Sequence, residues 1–158
     1  MTMPARSSRR GPLRVAVSCA VRPAVRVPNL AAWLADIAPA RARGVVSVAL
    51  VSDVTVRRLN RTYRDADYAT DVLSFPTDEP GDFLGDIVIA VGVARRQARE
   101  AGHALATEVR VLALHGLLHL CGYDHEHDQG QMRRLEARLR RRGGLTHGLI
   151  ERARGSRT

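Results

Sequence analysis

Apolar residues along this chain switch between two periods, and the switches mark its elements. Residues 13–20 alternate, with Val15 and Val17 on one side, as a half-buried strand does. Pro28 or Asn29 opens a helix that carries Trp33 and runs to about Arg43, where Gly44 ends it. Residues 45–51 form a short continuous apolar run, the pattern of a buried strand. Ser52 or Asp53 then caps a helix bearing Val56, Leu59, Asn60 and Tyr63, which the polar run Arg64-Asp65-Ala66-Asp67 breaks. Residues 71–75 and 86–90 are two further short strands, and the loop rich in Pro, Gly and acid between them suits an antiparallel hairpin with a wide connection. A helix begins with residues 94–101. The next, about 106–121, has a near-continuous apolar face and is predicted to be central and buried. Asp128 caps a last helix in which Met132, Leu135 and Leu139 make one stripe. Helices and strands interleave without strict alternation and no internal repeat occurs. The expected fold is therefore α+β, one layer of helices on a small mixed sheet, with the central helix enclosed. Residues 12–143 would form this single domain, between a disordered basic segment (1–11) and a loose basic tail (144–158).

A chain of 158 residues is long enough to bury a core without disulfides, and Cys19 and Cys121 form no spacing pattern, which points to a reducing compartment. The longest apolar runs, 45–51 and 87–94, fall far short of the roughly 20 residues that cross a bilayer. Arg6, Arg9, Arg10 and Arg14 precede a short apolar stretch broken by Arg22, a poor secretion signal. These features predict a soluble cytoplasmic protein with no membrane partner. The net charge is +9 and all 25 basic residues are arginine. Guanidinium groups pair bidentately with phosphates and release counterions from a polyanion, so the excess suits a nucleic-acid partner. The clusters at 133–142 and 152–157 read equally as a solvated helix face and a tail. With few aromatics, phosphate contacts rather than base stacking would dominate.

The strongest chemical signal is a set of three imidazoles. His115 and His119 lie four residues apart and share one face of a helix, with ring nitrogens in reach of a common point. Gly122 in a left-handed conformation would reverse the chain and return His125 to the pair. Three nitrogens with a fourth position open describe catalytic zinc, one ion per chain, better than calcium or magnesium, which prefer oxygen. Nickel, cobalt or copper would also bind. The competing reading makes His115 and His119 core residues bonded to backbone carbonyls. Cys121 points about 200° from His119 around the helix and is expected to be an inert buried thiol. His127 is read as a solvated neighbour, and His103 and His147 lie outside the motif. Zinc peptidases with two histidines one turn apart carry a glutamate directly after the first; that position is Gly116 here, so the peptidase reading lacks its general base. Glu126 is a substitute base or a solvent-facing loop carboxylate.

The segments HGLLHLCGYDH (115–125), LNRTYRDADYATDVLSF (59–75) and LGDIVIA (84–90) together resemble the YbeY family of bacterial endoribonucleases, over about residues 45–140. The resemblance implies a zinc-dependent, single-strand-specific endoribonuclease of the cytoplasm, acting on ribosomal RNA at the 3′ end of the small-subunit RNA and in ribosome quality control. It implies the ribosome or its small subunit as partner and a four-stranded mixed sheet with several helices, about five on the reading above. The family's ligand positions fall on His115, His119 and His125, and its functional arginine on Arg64. A fixed guanidinium at Arg64 would stabilise the charge that a phosphodiester gains under attack. Its structural alternative is an ion pair with Asp65 or Asp67. Thr70, Asp71 and Ser74 either line the cleft or bond backbone, with a structural role favoured. Asp86 either orients a ligand imidazole or is an ordinary strand-end carboxylate. Two competing functions stay open: a zinc hydrolase of peptides or esters, and a non-catalytic ribosome-associated RNA-binding factor with a structural metal.

Overall fold

The computed structural model describes residues 10–124 and 126–145. His125, His147 and the expectations for residues 1–9 and 146–158 lie outside the described residues. In chain order the elements are β1 (Arg14–Cys19), α1 (Leu30–Ile37), β2 (Val45–Val51), α2 (Asp53–Arg64), β3 (Val72–Pro76), β4 (Phe83–Ala90), α3 (Val91–Ala101), α4 (Leu105–Leu120) and α5 (Gln131–Arg142). The strands form one sheet in the order β1-β2-β4-β3. β1 and β4 run parallel to β2, while β3 pairs antiparallel with β4 as the predicted hairpin requires. The result is the expected α+β domain with a mixed four-stranded sheet and five helices.

Local chemistry explains most boundaries. The Ser52 hydroxyl accepts the Thr55 N–H and so caps α2, and Asp65, with φ 54, closes it in the left-handed region. Both Asp128 carboxylate oxygens serve the start of α5, accepting from the N–H groups of Gly130 and Met132 at 2.8 Å each. The α3 N-terminus has no cap of its own; instead Asp53 reaches across from α2 and accepts the Val93 N–H at 3.1 Å. Two expectations were off. Helix α1 stops at Ile37 rather than near Arg43, because Ala38 precedes Pro39 and takes an extended conformation that the proline ring favours. The helices also do not form one layer.

The sheet has two covered faces. On one, Val46, Val48, Leu50, Ile87 and Ile89 pack with Leu34 of α1, Leu112, Leu114 and Leu117 of α4, and Leu135 and Leu139 of α5. On the other, Val51, Leu73, Val88 and Ala90 pack with Val56 and Leu59 of α2. The apolar run of β2 feeds both clusters, which is why it reads as continuous rather than alternating. Helix α4 is buried all round, with Leu112, Ala113, Leu117 and Leu118 fully enclosed, and thereby fixes whatever chemistry it carries.

Candidate metal centre and cleft

Gly116 explains how α4 meets the sheet. A Cβ there would stand 2.8 Å from Ile87 Cγ2 and 3.1 Å from Ser74 Oγ, closer than a packed core tolerates. Only glycine lets the helix lie this near β3 and β4, and the Ser74 hydroxyl closes the contact by donating to the Gly116 carbonyl at 3.0 Å. The position where a zinc peptidase keeps its glutamate therefore faces the sheet and is full.

The neighbouring face of α4 carries His115 and His119, with Nε2 atoms 3.1 Å apart. Each ring is held by its other nitrogen. His115 Nδ1 lies 2.9 Å from a carboxylate oxygen of Glu136 on α5, with both residues buried. His119 Nδ1 lies 3.0 Å from the Tyr123 carbonyl. That carbonyl is in place because Gly122, with φ 91, turns the chain back after α4, and the Tyr123 N–H bonds the Leu118 carbonyl. A carbonyl only accepts, so the Tyr123 contact favours the His119 tautomer with its proton on Nδ1, and a carboxylate at Glu136 is likewise an acceptor for His115 Nδ1. The two Nε2 atoms turn toward one another at 3.1 Å. Tetrahedral zinc with bonds of about 2.0–2.1 Å spaces its ligand nitrogens by about 3.3 Å, so the two rings fit a shared divalent ion.

The rings open into a cavity of about 560 Å³, lined also by Arg64, Asp71, Ser74, Tyr123, Asp124 and Glu126. Arg64 is the last residue of α2, where a cation complements the helix dipole. One of its N–H groups donates to the Ser74 carbonyl at 2.9 Å, and the guanidinium carbon lies 5.9 Å from the Phe75 ring centre. The ion pair with Asp65 or Asp67 does not form: Asp67 is taken by Arg57 at 2.9 Å, whose hydrogen bonds hold the carboxyl below its usual range. Among the described residues no carboxylate pairs with Arg64.

The remaining expectations divide. Asp71 accepts the Val72 N–H at 2.8 Å and the Gln97 amide at 3.3 Å, a backbone-bonding role, as Ser74 has. Glu126 lines the cavity on the loop after α4. Asp124, Glu126 and His127, all exposed, hold ligand atoms within 4.8 Å of one another at its rim. Asp86 is corrected. Gly85, Ile87 and Ile89 of β4 face α4, whereas Val88 and Ala90 face α2; Asp86 shares the second parity and is turned away from the imidazoles. Glu136 orients His115 instead. Its signal was present in the sequence, since it falls between Met132 and Leu139 on the inward stripe of α5, where a lone carboxylate requires a partner. Cys121 is mostly buried, which pushes its thiol up to about 11. His103 bonds Glu108 at 2.7 Å and does not line the cavity.

Comparison with known proteins gives the family. The family described as Endoribonuclease YbeY matches residues 26–143. A protein of that name from Solibacter usitatus is 56% identical over 103 residues, covering 65% of this chain and 69% of the relative. Its namesake from Helicobacter pylori strain J99 is 48% identical over 109 residues, covering 68% of this chain and 77% of the relative. The solution structure of TM1509 from Thermotoga maritima superposes with a TM-score of 0.55 at 27% identity, covering 79% of this chain and 85% of that one. With three quarters of its length matched, and with the helix, turn and cavity of the preceding paragraphs inside the matched span, the chain belongs to the YbeY endoribonuclease family.

Proposed function

We infer that this chain is a metal-dependent endoribonuclease of ribosomal RNA processing, with one zinc ion held by His115, His119 and His125. The observation that carries the metal assignment is the pair of Nε2 atoms 3.1 Å apart, each ring held through Nδ1, at a cavity that also holds an arginine free of any carboxylate among the described residues. Imidazole donors favour zinc over oxygen-seeking cations. Zinc in such a site supplies a Lewis acid for a phosphoryl oxygen and lowers the pKa of bound water toward about 7.

The chain's own groups do the rest. Arg64 holds the scissile phosphate and stabilises the negative charge that builds on its oxygens, from a guanidinium already fixed on the Ser74 carbonyl. Glu136 and the Tyr123 carbonyl keep both imidazoles in one tautomer and orientation. Asp71 is engaged by Val72 and Gln97, and Asp124 by the Glu126 N–H and His127, which leaves Glu126 as the lining carboxylate suited to accept a proton from the nucleophile. A peptidase assignment finds no support, because the base position at Gly116 has no room for a side chain.

The substrate is single-stranded RNA, with maturation of the small-subunit RNA 3′ end and ribosome quality control as the processes and the ribosome or small subunit as partner. The +9 charge, all of it from arginine, supports a polyanionic partner. No described helix is long and apolar enough to cross a membrane, in keeping with a cytoplasmic site of action. Residues 12–143 form the catalytic domain, with basic segments 1–11 and 144–158 flanking it. The test is elemental analysis of the purified chain joined to cleavage of single- and double-stranded RNA with and without chelator. Cleavage confined to single strands, lost with the metal and restored by zinc, is expected; undiminished cutting by metal-free chain overturns the reading. A 2′,3′-cyclic phosphate on the product would identify the ribose hydroxyl as nucleophile.

A further inference from the structure

A second concavity of about 420 Å³ adjoins the catalytic cleft, with Tyr123 lining both. Its walls come from the segment after α1 (Pro39, Arg41), from Tyr123, and from α5 (Leu135, Arg138, Arg142). The volume is within the range of about 300–1,000 Å³ that small-ligand sites occupy. Three arginines line this space, and among the described lining residues there is no carboxylate. Elsewhere in the molecule exposed arginines do find acids: Arg57 pairs with Asp67, Arg96 with Asp53 and Arg14 with Asp82. Arg138 and Arg142 stand one turn apart on α5, an i,i+4 pair of like charges that a bound anion would bring together favourably.

The third guanidinium is ordered. Arg41 stacks over the Tyr123 ring with its central carbon 4.4 Å from the ring centre, and one N–H donates to the Cys121 carbonyl at 3.3 Å. A planar cation laid on an aromatic ring at the boundary of two cavities is a platform for a nucleobase, since bases stack on both aromatic and guanidinium planes. The backbone of Tyr123 is meanwhile fixed, because its carbonyl holds His119. Platform and imidazoles are thus joined through one residue.

We propose that this groove is a subsite for the nucleotides flanking the cleaved bond, with Arg41, Arg138 and Arg142 taking backbone phosphates and the Arg41–Tyr123 stack taking one base. It rests on the endoribonuclease reading and extends it: the strand runs from the cleft over Tyr123 and along α5. The shape favours a flexible single strand, whose phosphates can follow the groove while a base turns onto the stack.

The test is the double variant Arg138→Gln/Arg142→Gln, at two exposed positions, compared with Arg95→Gln/Arg99→Gln, an equal charge change one turn apart on α3 and outside the groove. Each is titrated with a single-stranded oligoribonucleotide of about twenty residues over a salt series, and assayed for cleavage of that strand and of a trinucleotide. Two lost phosphate contacts lower the slope of log Kd against log salt by about 1.4 and weaken binding about tenfold near 0.15 M salt. The α5 variant is expected to show both changes, with KM raised on the long strand, kcat kept, and trinucleotide cleavage unchanged; Arg41→Gln should also raise KM on the long strand. An α5 variant with the wild-type slope and KM, or an α3 variant that loses as much, overturns the subsite while leaving the nuclease intact. Failure of the wild-type chain to cut RNA with zinc present overturns both.

Discussion

Replacing Glu136 by glutamine removes one charge and almost no volume from the least exposed part of the metal centre. Glu136 is 2% exposed and its carboxylate lies 2.9 Å from His115 Nδ1. The amide oxygen can still accept the ring N–H, so packing survives. What is lost is the difference between a charge-assisted bond, worth about 1.5–3 kcal/mol, and a neutral one, about 0.5–1.5 kcal/mol, or about 1 kcal/mol on folding. The metal should feel more. The carboxylate makes the imidazole a stronger donor at Nε2 and restrains the ring, and losing such a partner typically weakens metal binding 10–100-fold, about 1.4–2.7 kcal/mol. The two effects are separable. Zinc affinity is measured on the folded chain by competition with a chelating dye, and stability by urea unfolding in the presence of chelator. We expect zinc affinity to fall at least tenfold while the metal-free chain loses only about 1 kcal/mol in urea unfolding. A variant that binds zinc within about twofold of wild type would show that Glu136 merely fills space and that His115 is oriented by something else.

Other perturbations reach different parts of the argument. Arg64→Gln should retain stoichiometric metal by elemental analysis yet cut RNA about 10²–10³-fold more slowly, as when a fixed donor to a developing anion is removed; cleavage at the normal rate would end its catalytic role. Gly116→Ala gains about 1 kcal/mol of helix propensity but forces a methyl against buried Ile87, where overpacking costs about 1–3 kcal/mol. A net loss of about 1 kcal/mol in urea unfolding is expected, and a more stable variant would contradict the close approach of α4 to the sheet. Cys121, with its thiol at about 11 against an ordinary 9.0, should resist iodoacetamide at pH 8 in the native chain, where exposed Cys19 is labelled; both should react in urea. Because the fold prefers the neutral thiol, that preference is complete below pH 9 and is lost as pH rises toward 11, so stability should decline in that window.

Elements governed by neighbouring residues were legible in the sequence. The apolar run of β2 has the bounds of the observed strand, and the hydroxyl of Ser52 and the carboxylate of Asp128 cap helices where short-range chemistry says they should. The histidine spacing and the turn at Gly122 likewise follow from helix geometry, and the structure places Nε2 of His115 beside Nε2 of His119. What escaped depends on contacts between distant segments. Glu136 lies 21 residues from His115 and on another helix, so only the burial of its stripe hinted at a partner. Asp86 lies farther from His115 in sequence than Glu136 does and reads equally as an orienter or an ordinary strand-end carboxylate, but strand parity decides which way it faces, and that parity is set by which residues meet α4. The second helical layer was hidden for a similar reason. A strand rich in valine reads the same whether one face or both are covered until the placement of α2 is known. Helix α1 overran because Gly44 offered a stop signal while Pro39, nearer, already imposed one.

The two imidazoles are secured in unequal ways. His119 leans on a main-chain oxygen, which every amino acid at position 123 possesses, so no ordinary replacement of that side chain deletes the acceptor. His115 leans on a carboxylate that a single codon change abolishes. Natural drift or deliberate engineering that retunes this centre without dismantling it will therefore work through α5, and the grip on the second ring will persist as a constant of the polypeptide itself.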